Sequence, residues 1–224
     1  MLFRLIRLVL TPAVWLFGRP VVKGREHLPR TGPVIVAGNH LSFSDSLFLI
    51  LVVRRPVVFL AKNEYFTGRG PLGWLQRGFF AAAGQIPVDR KNPGRAAGSL
   101  QQAVRILEQG KVWGIFPEGT RSPDGRLHRG KTGVIRVALA TGAPVVPVVL
   151  RGTDRVNPPG TTIWRPGRVH ITFCPPLDLS SYRERPHNQA LFREITDELM
   201  QILARHSGQE YVDVYAAKVK SDGR

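Results

Sequence analysis

The sequence predicts an α/β fold, with a mostly parallel central sheet flanked by helices. Two observations point there. Five short runs rich in β-branched apolar residues, at 34–37, 57–60, 112–116, 145–150 and 169–173, read as buried strands. Segments with helical apolar spacing stand between and after them, the alternation expected of strands joined by helical crossovers.

The elements follow in order. The first seventeen residues are apolar, with Arg4, Arg7 and Thr11 at i, i+3 and i+7. One narrow polar stripe therefore faces a broad apolar surface. The uninterrupted apolar stretch after Arg7 is shorter than the roughly 20 residues a spanning helix needs. Pro12 kinks this helix or starts a second one with Thr11 as cap. Gly18-Arg19-Pro20 stands where a secretory signal would place small residues for cleavage. Residues 1–20 are read as an amphipathic helical segment lying in a membrane surface; the competing reading packs the same helix on the protein's own core. Residues 95–109 form a helix with Ala96, Leu100, Ala103, Val104 and Leu107 on one face, closed by Gly110. Residues 133–141 form another, stopped by Gly142 and Pro144. A longer one covers 188–206, with an apolar stripe of Leu191, Phe192, Ile195, Leu199, Ile202 and Leu203. Pro123-Asp124-Gly125 and Asn157-Pro158-Pro159-Gly160 are turns. The organisation expected is the membrane-associated segment 1–20, one domain over 21–206, and a polar tail over 207–224 that frays beyond Ala217.

Charge narrows the partners. Thirty-two Lys and Arg against sixteen Asp and Glu leave +16 on 224 residues. Such a surface attracts phosphates, whether of nucleic acid, anionic lipid or small acidic substrates. The basic residues are dispersed and no recognition motif accompanies them, which argues against nucleic acid. One cysteine, Cys174, excludes an intrachain disulfide and gives no sign of an oxidising compartment. Followed by two prolines at a strand end, it reads as an inert small hydrophobe. No Cys/His cluster has zinc spacing, so no metal is expected.

The chemistry concentrates in four segments: Asn39 to Asp45, Gly84 to Arg90, Phe116 to Ser122, and Pro144 to Val148. Each is expected near a strand end, and ligands of open α/β sheets bind at the carboxyl ends. The first holds His40 and Asp45 five positions apart. A carboxylate on one ring nitrogen makes the other a better proton acceptor. No serine or cysteine sits in a nucleophile-elbow setting, so the base is expected to activate a substrate hydroxyl. Two structural readings stand beside this one, and a single helix start can serve both the capping and the catalytic reading. Ser42 and Asp45 also fit a helix capping box, and His40 could be a satisfied core residue.

These segments match N-H-x-S-x-x-D, G-x-x-x-x-x-R, F-P-E-G-T-R-S and V-P-V (Val146-Pro147-Val148), in that order. With them the chain resembles the 1-acyl-sn-glycerol-3-phosphate acyltransferases of the glycerolipid acyltransferase superfamily, from about Val21 to about Pro176. The stretches 59–66 and 208–213 look like the actinobacterial branch. The resemblance implies transfer of an acyl group from a thioester, acyl-CoA or acyl carrier protein, to the free hydroxyl of lysophosphatidic acid. Glycerol 3-phosphate or another lysophospholipid is the alternative acceptor. It implies His40 as general base and Asp45 as its orienting partner. Backbone N–H groups near a helix start would meet the acyl oxygen. Asn39 and Ser42 are scaffolding. Arg90 and Arg121 are assigned to the acceptor's phosphate, with Lys62 a third candidate. Glu118 organises the acceptor site, or simply pairs with Arg121, and Gly119 lets the backbone approach the ligand. Asp89 is read as a salt-bridge partner. No tightly bound cofactor is implied, and the location implied is the cytoplasmic face of the cell membrane, peripheral or monotopic. Leu127-His128-Arg129-Gly130-Lys131 departs from a Phe-Lys-Arg-Gly-like stretch of the family, and His128 reads as a surface loop residue. Trp74, Phe79 and Phe80 line an apolar surface or acyl tunnel, or are ordinary core. Trp15 suits a membrane interface.

Overall fold

In the computed structural model, the residues described are 11–12, 14–70, 73–74, 77–78, 85–88, 96–161, 163–182 and 184–222, with backbone only at 61, 62, 64, 65, 88, 96 and 97. The strands are β1 (Val21–Lys23), β2 (Val34–Gly38), β3 (Val57–Lys62), β4 (Ile86–Val88), β5 (Val112–Ile115), β6 (Leu127–His128), β7 (Val145–Arg151), β8 (His170–Phe173) and β9 (Tyr211–Val212). The helices are α1 (Ser44–Val52), α2 (Glu64–Thr67), α3 (Ala96–Glu108), α4 (Gly133–Thr141), α5 (Thr153–Val156), α6 (Gln189–Ser207) and α7 (Ala216–Asp222).

Seven strands form one sheet in the order β1-β8-β7-β2-β5-β3-β4. Every pairing in it is parallel except β7 with β8. β2 lies between β5 and β7, with Ala37 opposite Ile115 on one side and Pro147 on the other. Strand alternation divides the core into two. Ile35, Ala37, Trp113, Val145 and Val149 face α3, α4 and α6. Val34, Val36, Val146, Val148 and Leu150 face α1, and Val14 joins that layer. Both faces are covered, which is why the strands are apolar throughout.

The helices form for readable reasons. Asn188 caps α6 by accepting the Leu191 N–H at 2.9 Å, and Gly208 ends it with φ 71°. Gly142 does the same for α4 with φ 66°. The stripe of α6 buries Leu191, Ile195, Leu199 and Leu203, together with Met200.

Three expectations change. Val146-Pro147-Val148 lies inside β7, not at a carboxyl end, because the buried apolar run continues past the proline to Leu150. His128 is fully buried, on β6. The segment after Gly208 does not fray at Ala217. It supplies β9, which pairs in parallel with β6, and then α7. Residues 1–10 of the N-terminal segment lie outside the described residues; 14–18 are helical. Among the described residues, no helix is long and apolar enough to cross a membrane.

Candidate active site

β2 and β5 are parallel neighbours, so the loops leaving their carboxyl ends meet at one edge of the sheet. The first carries Asn39 to Asp45 and the second Phe116 to Ser122. They are joined by the Ser122 N–H, which donates to the His40 carbonyl at 2.8 Å.

His40 Nδ1 lies 2.8 Å from Asp45 Oδ2. The same oxygen accepts the N–H groups of Leu41 at 2.7 Å and Ser42 at 2.8 Å. Asp45 sits in the first turn of α1 and is fully buried. One carboxylate oxygen therefore both holds the imidazole and ties back the turn that leads into α1, while Phe43, not Ser42, is the N-cap residue. The Ser42 hydroxyl accepts from Ser44 N–H and points to Asn157, whose backbone carbonyl is 2.7 Å away. The N–H groups of Leu41, Ser42 and Ser44 are thus all engaged within the turn, so none of these three is open to an acyl oxygen. A carboxylate accepting from Nδ1 leaves Nε2 as the ring's basic nitrogen. The side chain of His40 is 17% exposed, whereas that of Asp45 is fully buried.

The ring is also held from its face. Phe116 stacks on it with centroids 4.0 Å apart and planes 9° apart, and Phe59 stacks on Phe116 at 5.4 Å. Phe59 reaches this position by lying over Gly114, where a Cβ would come within 2.4 Å of its ring.

Asn39 secures the end of β2. Its Oδ1 accepts the Leu150 N–H at 2.8 Å and its Nδ2 donates to the Leu150 carbonyl at 2.9 Å. Its Nδ2 also lies 2.7 Å from Gln209 Oε1.

Glu118 is 1% exposed. It accepts the His40 N–H at 3.1 Å on Oε2 and the His128 N–H at 3.0 Å on Oε1, and no ion pair joins it to Arg121. Burial raises its carboxyl from 4.5 to about 7, the two N–H groups oppose that rise, and the nearby Asp45 charge adds to it. Gly119 has φ 74°, which only glycine adopts freely, and the Lys131 side chain packs against it, with Cε 3.0 Å from where a Cβ would stand. Arg121 is half-buried, and its carbonyl accepts from Lys220 Nζ at 2.5 Å. Lys62 ends β3, with only its backbone described. Arg90 and Asp89 lie outside the described residues, as do Phe79 and Phe80. Trp74 is 69% exposed and so is not core.

The structure thus brings together His40, Asp45, Glu118, Gly119 and Arg121. Among the described residues, no group of three His, Cys, Asp or Glu could hold a metal ion. Sequence reasoning missed Phe116 as a stacking partner, although its place just after β5 and beside the end of β2 follows from the strand order. It also missed the His128 backbone, Gln209 and Lys220, which arrive from distant segments.

Residues 19–151 match the family model described as Acyltransferase. The chain belongs to this acyltransferase family. A 1-acyl-sn-glycerol-3-phosphate acyltransferase of Limnanthes alba is 34% identical over 173 residues, covering 75% of this chain and 58% of that protein. Its counterpart in Borreliella burgdorferi is 34% identical over 153 residues, covering 68% and 59%. This family member therefore spans under three fifths of the length of those relatives. The crystal structure of the 1-acyl-sn-glycerophosphate (LPA) acyltransferase PlsC from Thermotoga maritima superposes with a TM-score of 0.70. It is 27% identical, covering 97% of this chain and 79% of that one.

Proposed function

We propose that this family member moves a fatty acyl group from an acyl thioester to the free hydroxyl of 1-acyl-sn-glycerol 3-phosphate, giving phosphatidic acid. The observation that carries the proposal is the 2.8 Å contact between His40 Nδ1 and Asp45 Oδ2 at the strand ends where the loop bearing Glu118 and Arg121 is tied to the His40 backbone. The names of the similar proteins support the same acceptor.

His40 Nε2 takes the hydroxyl proton as the oxygen attacks the thioester carbonyl. Asp45 holds the imidazole in the required tautomer and stabilises the imidazolium. The tetrahedral intermediate collapses, the C–S bond breaks, and the imidazolium returns the proton to the departing thiolate. Arg121, Arg90 and Lys62 receive the acceptor's phosphate. Glu118 organises the acceptor side by holding the backbone of His40, and Gly119 carries the turn of that loop at positive φ. The thioester is acyl-CoA or acyl carrier protein. The reaction takes place at the cytoplasmic face of a membrane, where Trp15 and Leu16, 51% and 66% exposed, meet the lipid surface.

The test is turnover by the purified full chain with both thioesters and a panel of acceptors: lysophosphatidic acid, glycerol 3-phosphate and other lysophospholipids. His40→Ala is expected to lower turnover by about 10²–10⁴-fold, with the fold and vesicle binding intact. Turnover retained by that variant overturns the assignment of His40. Preference for another acceptor overturns the choice of lysophosphatidic acid.

A further inference from the structure

One segment, far from the four motifs in sequence, touches both loops that carry the described site residues. Gln209 Oε1 accepts from Asn39, next to the histidine, while its Nε2 donates to the Gly125 carbonyl at 2.6 Å. β9 pairs with β6, whose His128 N–H holds Glu118. The Val214 carbonyl accepts the Arg129 N–H at 3.1 Å and lies 3.2 Å from His128 Nδ1. The side chain of His128 is fixed at its other end by Asp124, 3.0 Å from Nε2. Finally α7 delivers Lys220. Its Nζ donates to Thr120 Oγ1 at 2.8 Å and to the Arg121 carbonyl at 2.5 Å.

We infer that the C-terminal segment from Gln209 to Asp222 is a working part of the acceptor site. Within it, Lys220 is a positioning residue that sets the loop bearing Glu118, Gly119 and Arg121 for a phosphate-bearing acceptor. The inference rests on the reading above that Arg121 meets the phosphate. The loop needs such a tie. Gly119 carries the turn at positive φ, so the conformation that follows it is not enforced by local sterics. An ammonium on the carbonyl of Arg121 and on the hydroxyl of the preceding residue fixes the backbone from which the guanidinium extends. Hydrogen bonds to charged groups are the strong kind. Lys220 is also close enough to Glu118 to favour its ionised form, so its charge bears on both acceptor-side residues.

The experiment is steady-state kinetics of the full chain with lysophosphatidic acid and with a monoacylglycerol, the acceptor that lacks the phosphate. Lys220→Met is expected to raise KM for lysophosphatidic acid about tenfold, the equivalent of one charged hydrogen bond. The kcat stays within about twofold, and preference for the phosphorylated acceptor falls. Lys220→Arg restores most of the loss. In an Arg121→Gln background, Lys220→Met adds little, because the two act on one contact. Thr120→Val removes one acceptor of the ammonium without changing charge, and shifts KM in the same direction if Lys220→Met does not fold. An unchanged KM in Lys220→Met, or a loss equal on both acceptors, overturns the inference. Additive losses with Arg121→Gln also overturn it. If Arg121→Gln itself leaves phosphate preference intact, the phosphate reading of Arg121 fails instead.

Discussion

Among single residues, Glu118 has the most consequential environment. Its ionised form suits the two N–H groups it faces, yet burial dominates and lifts the carboxyl to about 7 from 4.5. Between those pH values the folded protein binds a proton that the unfolded chain releases. Stability from this group is therefore greatest below about pH 4.5 and falls as pH rises to about 7, by up to ~3 kcal/mol. Glu118→Gln removes the titration and leaves a fixed cost, since its amide must turn an N–H toward one of two N–H donors. Urea unfolding of both proteins from pH 4.5 to 8 checks this. The stability difference between them should change across that window and then level off; a difference independent of pH contradicts the assignment. Asp45 teaches a related lesson. The heptad allowed Asp45 to serve a helix start and an imidazole together, and one oxygen bonds both the Ser42 N–H and the ring.

At the scale of elements, the stack of His40, Phe116 and Phe59 depends on β5 having no side chain at Gly114. Gly114→Ala places a methyl carbon against the Phe59 ring, so the ring must shift and Phe116 with it. Overpacking of this kind costs about 1–3 kcal/mol. Thermal melting should show that loss, and kcat should fall as well, because the displaced stack no longer fixes the imidazole. A stability loss with kcat unchanged would separate the stack from the chemistry. The elements themselves were largely legible. The runs at 34–37, 57–60, 112–116, 145–150 and 169–173 each became a strand, because a long buried apolar run announces itself without its neighbours. The strands at 21–23, 86–88, 127–128 and 211–212 were missed. Each is two or three residues long and exists through the partner it pairs with.

At the scale of the whole molecule, the proposed membrane contact rests on the N-terminal turn. Val14 is buried in the layer under α1, while Trp15 and Leu16 project outward. The core-packed reading therefore holds for Val14, and the proposed lipid contact falls to the exposed Trp15 and Leu16. Removing the segment would open the core, so Trp15→Ser with Leu16→Ser is the cleaner variant. It is expected to weaken binding to anionic vesicles about tenfold or more, the scale of two apolar side chains withdrawn from lipid. Binding by both proteins should weaken further with salt, since +16 draws the protein to anionic headgroups. Undiminished vesicle binding by the double variant would move the anchor elsewhere.

The sequence by itself determined the layered α/β architecture, the histidine and aspartate, and the loops that carry them. These follow from local apolar pattern and from residue types whose chemistry is intrinsic. Only the tertiary structure decided what holds the site in place: Leu150 on Asn39, Phe116 on the imidazole, the His128 backbone on Glu118, and Lys220 on the Arg121 loop. Those partners lie ten to more than a hundred positions from the residues they hold. Hydrogen bonds to a backbone carbonyl or amide leave little mark in the identity of the residue that offers it. A buried backbone group must find a partner, and which one it finds is settled by how the chain folds back on itself.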